Sequence, residues 1–181
     1  MSCTNIYEGT PEGDQPLTLN LFFSTVERHI RQHLPVLEIV ASWPDIRERI
    51  SLPALLLELA EVEPGTDPGT GRVALTCRLE ARVVVAAEEP EHHQQAIHIA
   101  TQLAVLLRAQ YWELDDVDAA EFVHAGPDWT RPELDSCTVW KVEWTQQIYL
   151  GEEQWPWPDA APAFLEPQLY AEQVDIEAVA G

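Results

Sequence analysis

From Gly71 to Ala87 apolar and polar residues alternate with a period of two. Val73, Leu75, Cys77, Leu79, Ala81, Val83 and Val85 share one face, and Arg72, Thr76, Arg78, Glu80 and Arg82 share the other. This is the pattern of a half-buried strand. At about 3.3 Å per residue it predicts a strand of roughly 50 Å, longer than most. Leu52 to Val62 predicts another strand, with Leu55, Leu57 and Leu59 alternating with Glu58 and Ala60. Pro53 restricts it to a sheet edge or to a strand beginning. Between the two lies Pro64-Gly65-Thr66-Asp67-Pro68-Gly69-Thr70-Gly71, a dense turn signal. The three segments predict a long projecting hairpin with a mobile tip, which outruns its own small domain and needs a neighbour. Pro64, Gly65, Asp67, Pro68 and Gly69 are its candidate inter-subunit contacts. A phosphate loop is excluded, because no Lys-Ser/Thr closes the run and a strand follows it.

Helical spacing appears twice. Leu19, Phe22, Phe23, Val26 and Ile30 predict an amphipathic helix capped by Asn20 and ended by Pro35. Pro90 and Glu91 open the second, whose stripe is Ala96, Ile97, Ala100, Leu103, Ala104 and Leu107. Val36 to Ala41 and Glu121 to Ala125 read as short strands, and Tyr111 to Ala119 as an acidic link. A closing strand runs from Cys137 to Leu150, with Trp140, Val142, Trp144, Ile148 and Leu150 on one face. The order predicts an α+β fold: one antiparallel or mixed sheet with the long hairpin, flanked by two helices. Three parts follow: a flexible arm over 1–18, the α+β domain over 19–151, and a Pro/Trp-rich acidic extension over 152–181. Trp155, Trp157 and Phe164 are out of place in a purely solvated tail. They are candidate contacts for a partner's groove, unless the extension folds back on its own domain.

Charge narrows the classes. The chain has 181 residues, 31 acids and 10 Lys or Arg, for a net charge of -21. Such a surface repels phosphate backbones and argues against tight nucleic-acid binding. It serves solubility, or it lines a passage in which DNA slides without sticking. No apolar run has the length of a membrane span, and residues 1–20 lack the basic start and apolar middle of a secretory signal. The expected compartment is the cytosol in which the chain is made.

Chemistry finds little support. Cys3, Cys77 and Cys137 are too few and too scattered for a disulfide framework, and Cys77 falls where a buried thiol is expected. His29 and His33 have a metal-gripping spacing without a third ligand, and the neighbours His92 and His93 diverge. Glu88-Glu89 and Asp115-Asp116 diverge likewise and make no glycosidase pair. No nucleophile elbow or Cys-x-x-Cys is present. No catalytic residue, cofactor or metal is therefore predicted. Trp129 with the histidines leaves a small hydrolase or sugar-binding domain as the rival reading.

The helix Leu19 to Leu34, the hairpin around Pro64 to Gly71, and the alanine-rich helix Glu91 to Arg108 come first. The phrase Pro132-Glu133-Leu134-Asp135 and the strand Thr138-Val139-Trp140-Lys141-Val142-Glu143-Trp144 follow. In this order the chain resembles the tail terminator proteins of long-tailed bacteriophages, especially Mu-like ones. The resemblance covers Leu19 to Leu150 and is one of layout, without a diagnostic motif. It implies a homo-hexameric ring in the virion, at the head-proximal end of the tail. Such a ring caps the tail tube protein, stops its polymerisation, and offers a docking face to the head connector or neck protein. DNA passes through its lumen without tight binding, and no membrane, cofactor or catalytic residue is implied. The extension beyond Gly151 lies outside the resemblance. A neck adaptor or a tail-tube-like subunit shares a similar plan and would form twelve-fold rings or open-ended tubes.

Overall fold

The structure, a computed structural model, describes residues 16–42 and 50–154. In chain order these form α1 (Leu19–His33), β1 (Ile39–Ser42), β2 (Ala54–Pro64), β3 (Val73–Ala86), α2 (His92–Leu106), β4 (Glu121–Pro127) and β5 (Cys137–Leu150). A short 3-10 turn, Pro132–Leu134, precedes β5. The strands make one five-stranded sheet in the order β1-β2-β3-β5-β4. β1 runs parallel to β2, and the other pairings are antiparallel. The fold is α+β with a mixed sheet and two helices, as the alternation and helical spacing imply.

Both helices cover one sheet face. α1 starts two residues earlier than Asn20 would allow: Thr18 is extended, and its hydroxyl accepts from the Leu21 N–H at 3.2 Å. Phe22, Phe23, Val26 and Ile30 then face the sheet. On α2 the buried stripe is Ala96, Ile99, Ala100, Leu103 and Leu107, while Ile97 points to solvent. Both stripes satisfy a three-and-four spacing. Packing against β3 and β5 selects the one centred on Ile99, three residues from Ala96 and four from Leu103.

Leu55 and Leu57 of β2, Cys77, Leu79, Ala81 and Val83 of β3, and Val142, Trp144 and Ile148 of β5 complete this core. Full burial of side chains of this size contributes about 1.5–3 kcal/mol each. The reverse face is covered too. Ala54, Leu56, Val84 and Val139 pack with Leu134, which the 3-10 turn lays over them. Pro53 sits just before β2, so that strand is interior despite its proline.

Two expected features take a different form. The acidic link after α2 is a strap over the core. Trp112 is fully buried, its indole N–H donates to Gln146 Oε1 at 2.7 Å, and Val117 bridges Ile148. Gln146 in turn donates to the carbonyls of Gln110 and Asp118. The β2–β3 hairpin, for its part, does not stand out as a free two-stranded arm. β3 pairs with β5 along its whole length, from Val73 opposite Leu150 to Ala86 opposite Cys137.

Candidate functional site

Three places on this frame carry groups that could act: the hairpin end, a charged ladder on the reverse face, and the free edge of β4.

At the hairpin end, Pro64 closes β2 opposite Leu75. Gly65 N–H donates to the Ala74 carbonyl at 2.9 Å, and Thr66 N–H to Gln147 Oε1 at 2.7 Å. Asp67 Oδ1 accepts from the Gly69 N–H, and Gly69 takes φ +72° in open space. Pro68 is exposed. The tip is tied down on its other side as well: Gln154 N–H donates to the Thr70 carbonyl, and Arg72 pairs with Asp116 and, at 3.6 Å, with Glu153. A small open cleft of about 340 Å3 lies here, lined by Gly65, Asp67, Gly71, Arg72, Ala74 and Gln154. The structure thus brings Pro64, Gly65, Asp67, Pro68 and Gly69 together, anchored to β5 and the strap where a mobile tip was expected. Trp155, Trp157 and Phe164 lie outside the described residues.

The reverse face holds a ladder of charges. Arg82 is almost fully buried and meets Asp128 at 2.7 Å, Glu58 at 2.7 Å and Glu80 at 2.5 Å. Arg131 shares Glu58, while Lys141 reaches Glu80 at 3.2 Å and pairs with Glu143. Asp128 also accepts from the Thr130 N–H and hydroxyl, at 2.9 and 2.6 Å. Burial works against the charge on Arg82. The hydrogen bond to Asp128 and the Glu58 and Glu80 carboxylates outweigh it, so its pKa is raised. Burial alone would raise Asp128, but Thr130 and Arg82 hold it below the ordinary carboxylate value. Each of these charges faces an opposite one, which suits a structural clasp between strands and leaves none poised for proton transfer.

His29 is similarly spent on packing. His29 Nε2 is 3.0 Å from the Gln110 side-chain nitrogen, its ring meets Trp112 edge-on, and it stacks on His33. Partial burial, then the positive neighbours His33 and Arg28, lower its pKa against an opposing pull from Glu113. Cys77 is buried, and its thiol is pushed up to about 11 by burial. Among the described residues no group of three His, Cys, Asp or Glu is placed to hold a metal ion. No described helix is long and apolar enough to cross a membrane.

The edge of β4 is the place that sequence reading passed over. Among the described residues β4 pairs only with β5, and its outer side is unpaired. A register shift between Phe122 and His124 turns Phe122 and Val123 outward, at 49% and 52% exposure. Trp129, just beyond the strand, is 78% exposed. Adjacent residues of a strand face opposite sides, so the dipeptide Phe122-Val123 puts a large apolar group on each face of β4.

No family model matches the chain, and no curated protein matches it. Among solved structures, the sheath/tube terminator of an extracellular contractile injection system (PVC), in its extended state, aligns with a TM-score of 0.44 and 15% identity. The match covers 82% of this chain, which spans 64% of that one.

Proposed function

We propose that this protein is a structural, non-enzymatic terminator of a phage-like tail. In this reading residues 19–151 form the ring subunit, 1–18 an N-terminal arm and 152–181 an extension. Six copies close a ring at the head-proximal end of the tail in the virion. The ring caps the tail tube protein, ends its polymerisation and presents a docking face to the head connector, with DNA passing through the lumen.

The observation that carries the reading is the bare edge of β4, with Phe122, Val123 and Trp129 exposed beside it. An unpaired edge fringed by large apolar side chains invites another chain, and soluble monomers blunt such edges. β1, at the opposite edge, spans Ile39–Ser42 among the described residues and pairs parallel to β2, unlike β4. Two unlike edges support head-to-tail joining, and a ring results when the rotation between copies closes. The hairpin end (Pro64, Gly65, Asp67, Pro68 and Gly69), now seen as a braced corner, is a second contact in this reading.

Negative-stain microscopy with light scattering of the purified protein tests this. Discrete six-fold rings, alone or on tube ends, are expected. The double substitution Phe122→Glu with Val123→Glu should leave the melting temperature within a few degrees and abolish assembly. Twelve-fold rings, open tubes or a lone monomer that never caps a tube would overturn the reading.

A further inference from the structure

A groove runs between α1 and α2 on the helical side of the sheet. Leu34, Val105 and Leu106 form its apolar part, His33 and His98 stand at its rim, and its volume is about 370 Å3. Val105 is 75% exposed. This volume is at the lower end of ligand-sized clefts, which run to about 300–1,000 Å3. It suits the large side chains of an extended segment better than a folded partner.

The charge around it is unlike the rest of the chain. Despite the net charge of -21, no Asp or Glu occurs from Arg28 to Leu37 or from His92 to Gln110. Those two stretches carry Arg28, Arg31 and Arg108 and every histidine except His124. Arg108 lies in the turn that follows α2, its N–H donating to the Val105 carbonyl at 3.2 Å. Elsewhere Arg72, Arg78, Arg82, Arg131 and Lys141 are all paired with carboxylates, whereas Arg28 and Arg108 make no ion pair among the described residues. Glu113 acts on His29 but does not line the groove.

The C-terminal segment 155–181 has the complementary character. It carries Asp159, Glu166, Glu172, Asp175 and Glu177 with no Lys or Arg, and its large side chains include Trp155, Trp157, Phe164 and Tyr170. We propose that the groove between α1 and α2 is the docking site for this chain's own C-terminal segment, with its aromatic residues on Leu34, Val105 and Leu106 and its acids toward Arg108 and the histidine rim.

Tethering favours the intramolecular form. Gln154, bonded to Thr70, fixes where the segment leaves the ribbon end. From Leu150 to Gln146 is about 14 Å of strand. Gln146 bonds Gln110, Gln110 bonds His29, and His33 is one turn away, so the path is on the order of 25–30 Å. The segment's 27 residues, fully extended, reach about 90 Å. A tether with that slack holds its end at roughly millimolar effective concentration, enough for a modest contact to persist. The docking is independent of the terminator reading, because it is read on single chains.

The experiment places a benzoyl-phenylalanine photocrosslinker at Val105 in the full chain, followed by irradiation and peptide mapping. Products at single-chain mass joining position 105 to residues 155–181 are expected. Their yield should fall at least threefold in high salt, and also with His98→Glu plus Arg108→Glu at an unchanged melting temperature. The same crosslinker at Glu133, on the 3-10 turn over the reverse face, should yield few such products. Crosslinks that avoid 155–181, or that join only two chains, would overturn the proposal. So would a yield indifferent to salt and to the charge reversals.

Discussion

At the scale of single residues, the buried polar groups decide most. Arg82 and Asp128 lie together almost out of solvent, at 5% and 1% side-chain exposure. Removing Asp128 leaves the buried Arg82 Nε–H unpaired, with only Glu58 and Glu80 to offset its charge, and also unties Thr130, a loss of up to about 3–5 kcal/mol for a buried pair. Asp128→Ala should therefore be among the most destabilising single changes, measured by urea unfolding. Asp128 is held below its ordinary pKa, so its contribution is full above about pH 4 and fades as acid protonates the folded form. In Asp128→Ala that part of the acid limb should be missing. The two buried tryptophans make a second contrast. Trp112 Nε1 donates to Gln146, whereas Trp144 Nε1 is buried with no partner. Trp112→Phe leaves Gln146 Oε1 bare in the core, while Trp144→Phe strands nothing. With similar area lost, the first should cost about 1–3 kcal/mol more than the second. Equal losses in calorimetry would show that the Trp112–Gln146 bond adds nothing.

At the scale of elements, the ribbon end is a junction of four segments rather than a loose tip. A Cβ at Gly65 would sit 2.7 Å from Gln147 Oε1 and 3.0 Å from the Ala74 backbone carbon. Gly65→Val should loosen the loop from β5, exposing the amides of Thr66 and position 65 to faster hydrogen exchange. Protection in α1 should stay unchanged. The strap after α2 acts through burial: Trp112 brings Gln110 beside His29 and so fixes where α1 meets α2. This coupling has a pH signature. His29 is lowered below 6.5, so below that value the unfolded chain takes up a proton that the folded chain resists. Stability from this source is complete above about 6.5, falls as pH drops through it, and levels off below the folded pKa. Denaturant titrations between about pH 8 and about pH 5 should show this fall, and His29→Gln should flatten it.

At the scale of the whole molecule, charge is distributed by side. Acids dominate the chain, yet the two helices facing one groove carry none over long stretches, and the opposite sheet face carries a fully paired ladder. On the β4 edge Phe122 and Val123 expose apolar surface, and Trp129 does so just beyond the strand. An assembly built through that edge would leave the groove between α1 and α2 on a different surface. Glutamates at positions 122 and 123 should therefore dissociate the assembly without releasing a segment docked between the helices, which light scattering and crosslinking can read in one sample.

The alternation over β3 and β5 and the helical spacing of α1 made the elements legible in the sequence, since burial of one face imposes a period on the residues themselves. β5 was legible to its end residues, Cys137 and Leu150, and the α+β class followed from the order. Only tertiary structure decided three things. It chose Ile99 over Ile97 for the face of α2, because two stripes satisfied the same spacing and sheet contacts broke the tie. It turned an acidic link into a core strap, because Trp112 finds its partner Gln146 34 residues away. It also braced the hairpin and bared the β4 edge, because strand order decides which backbone groups go unpaired, and no local pattern encodes strand order.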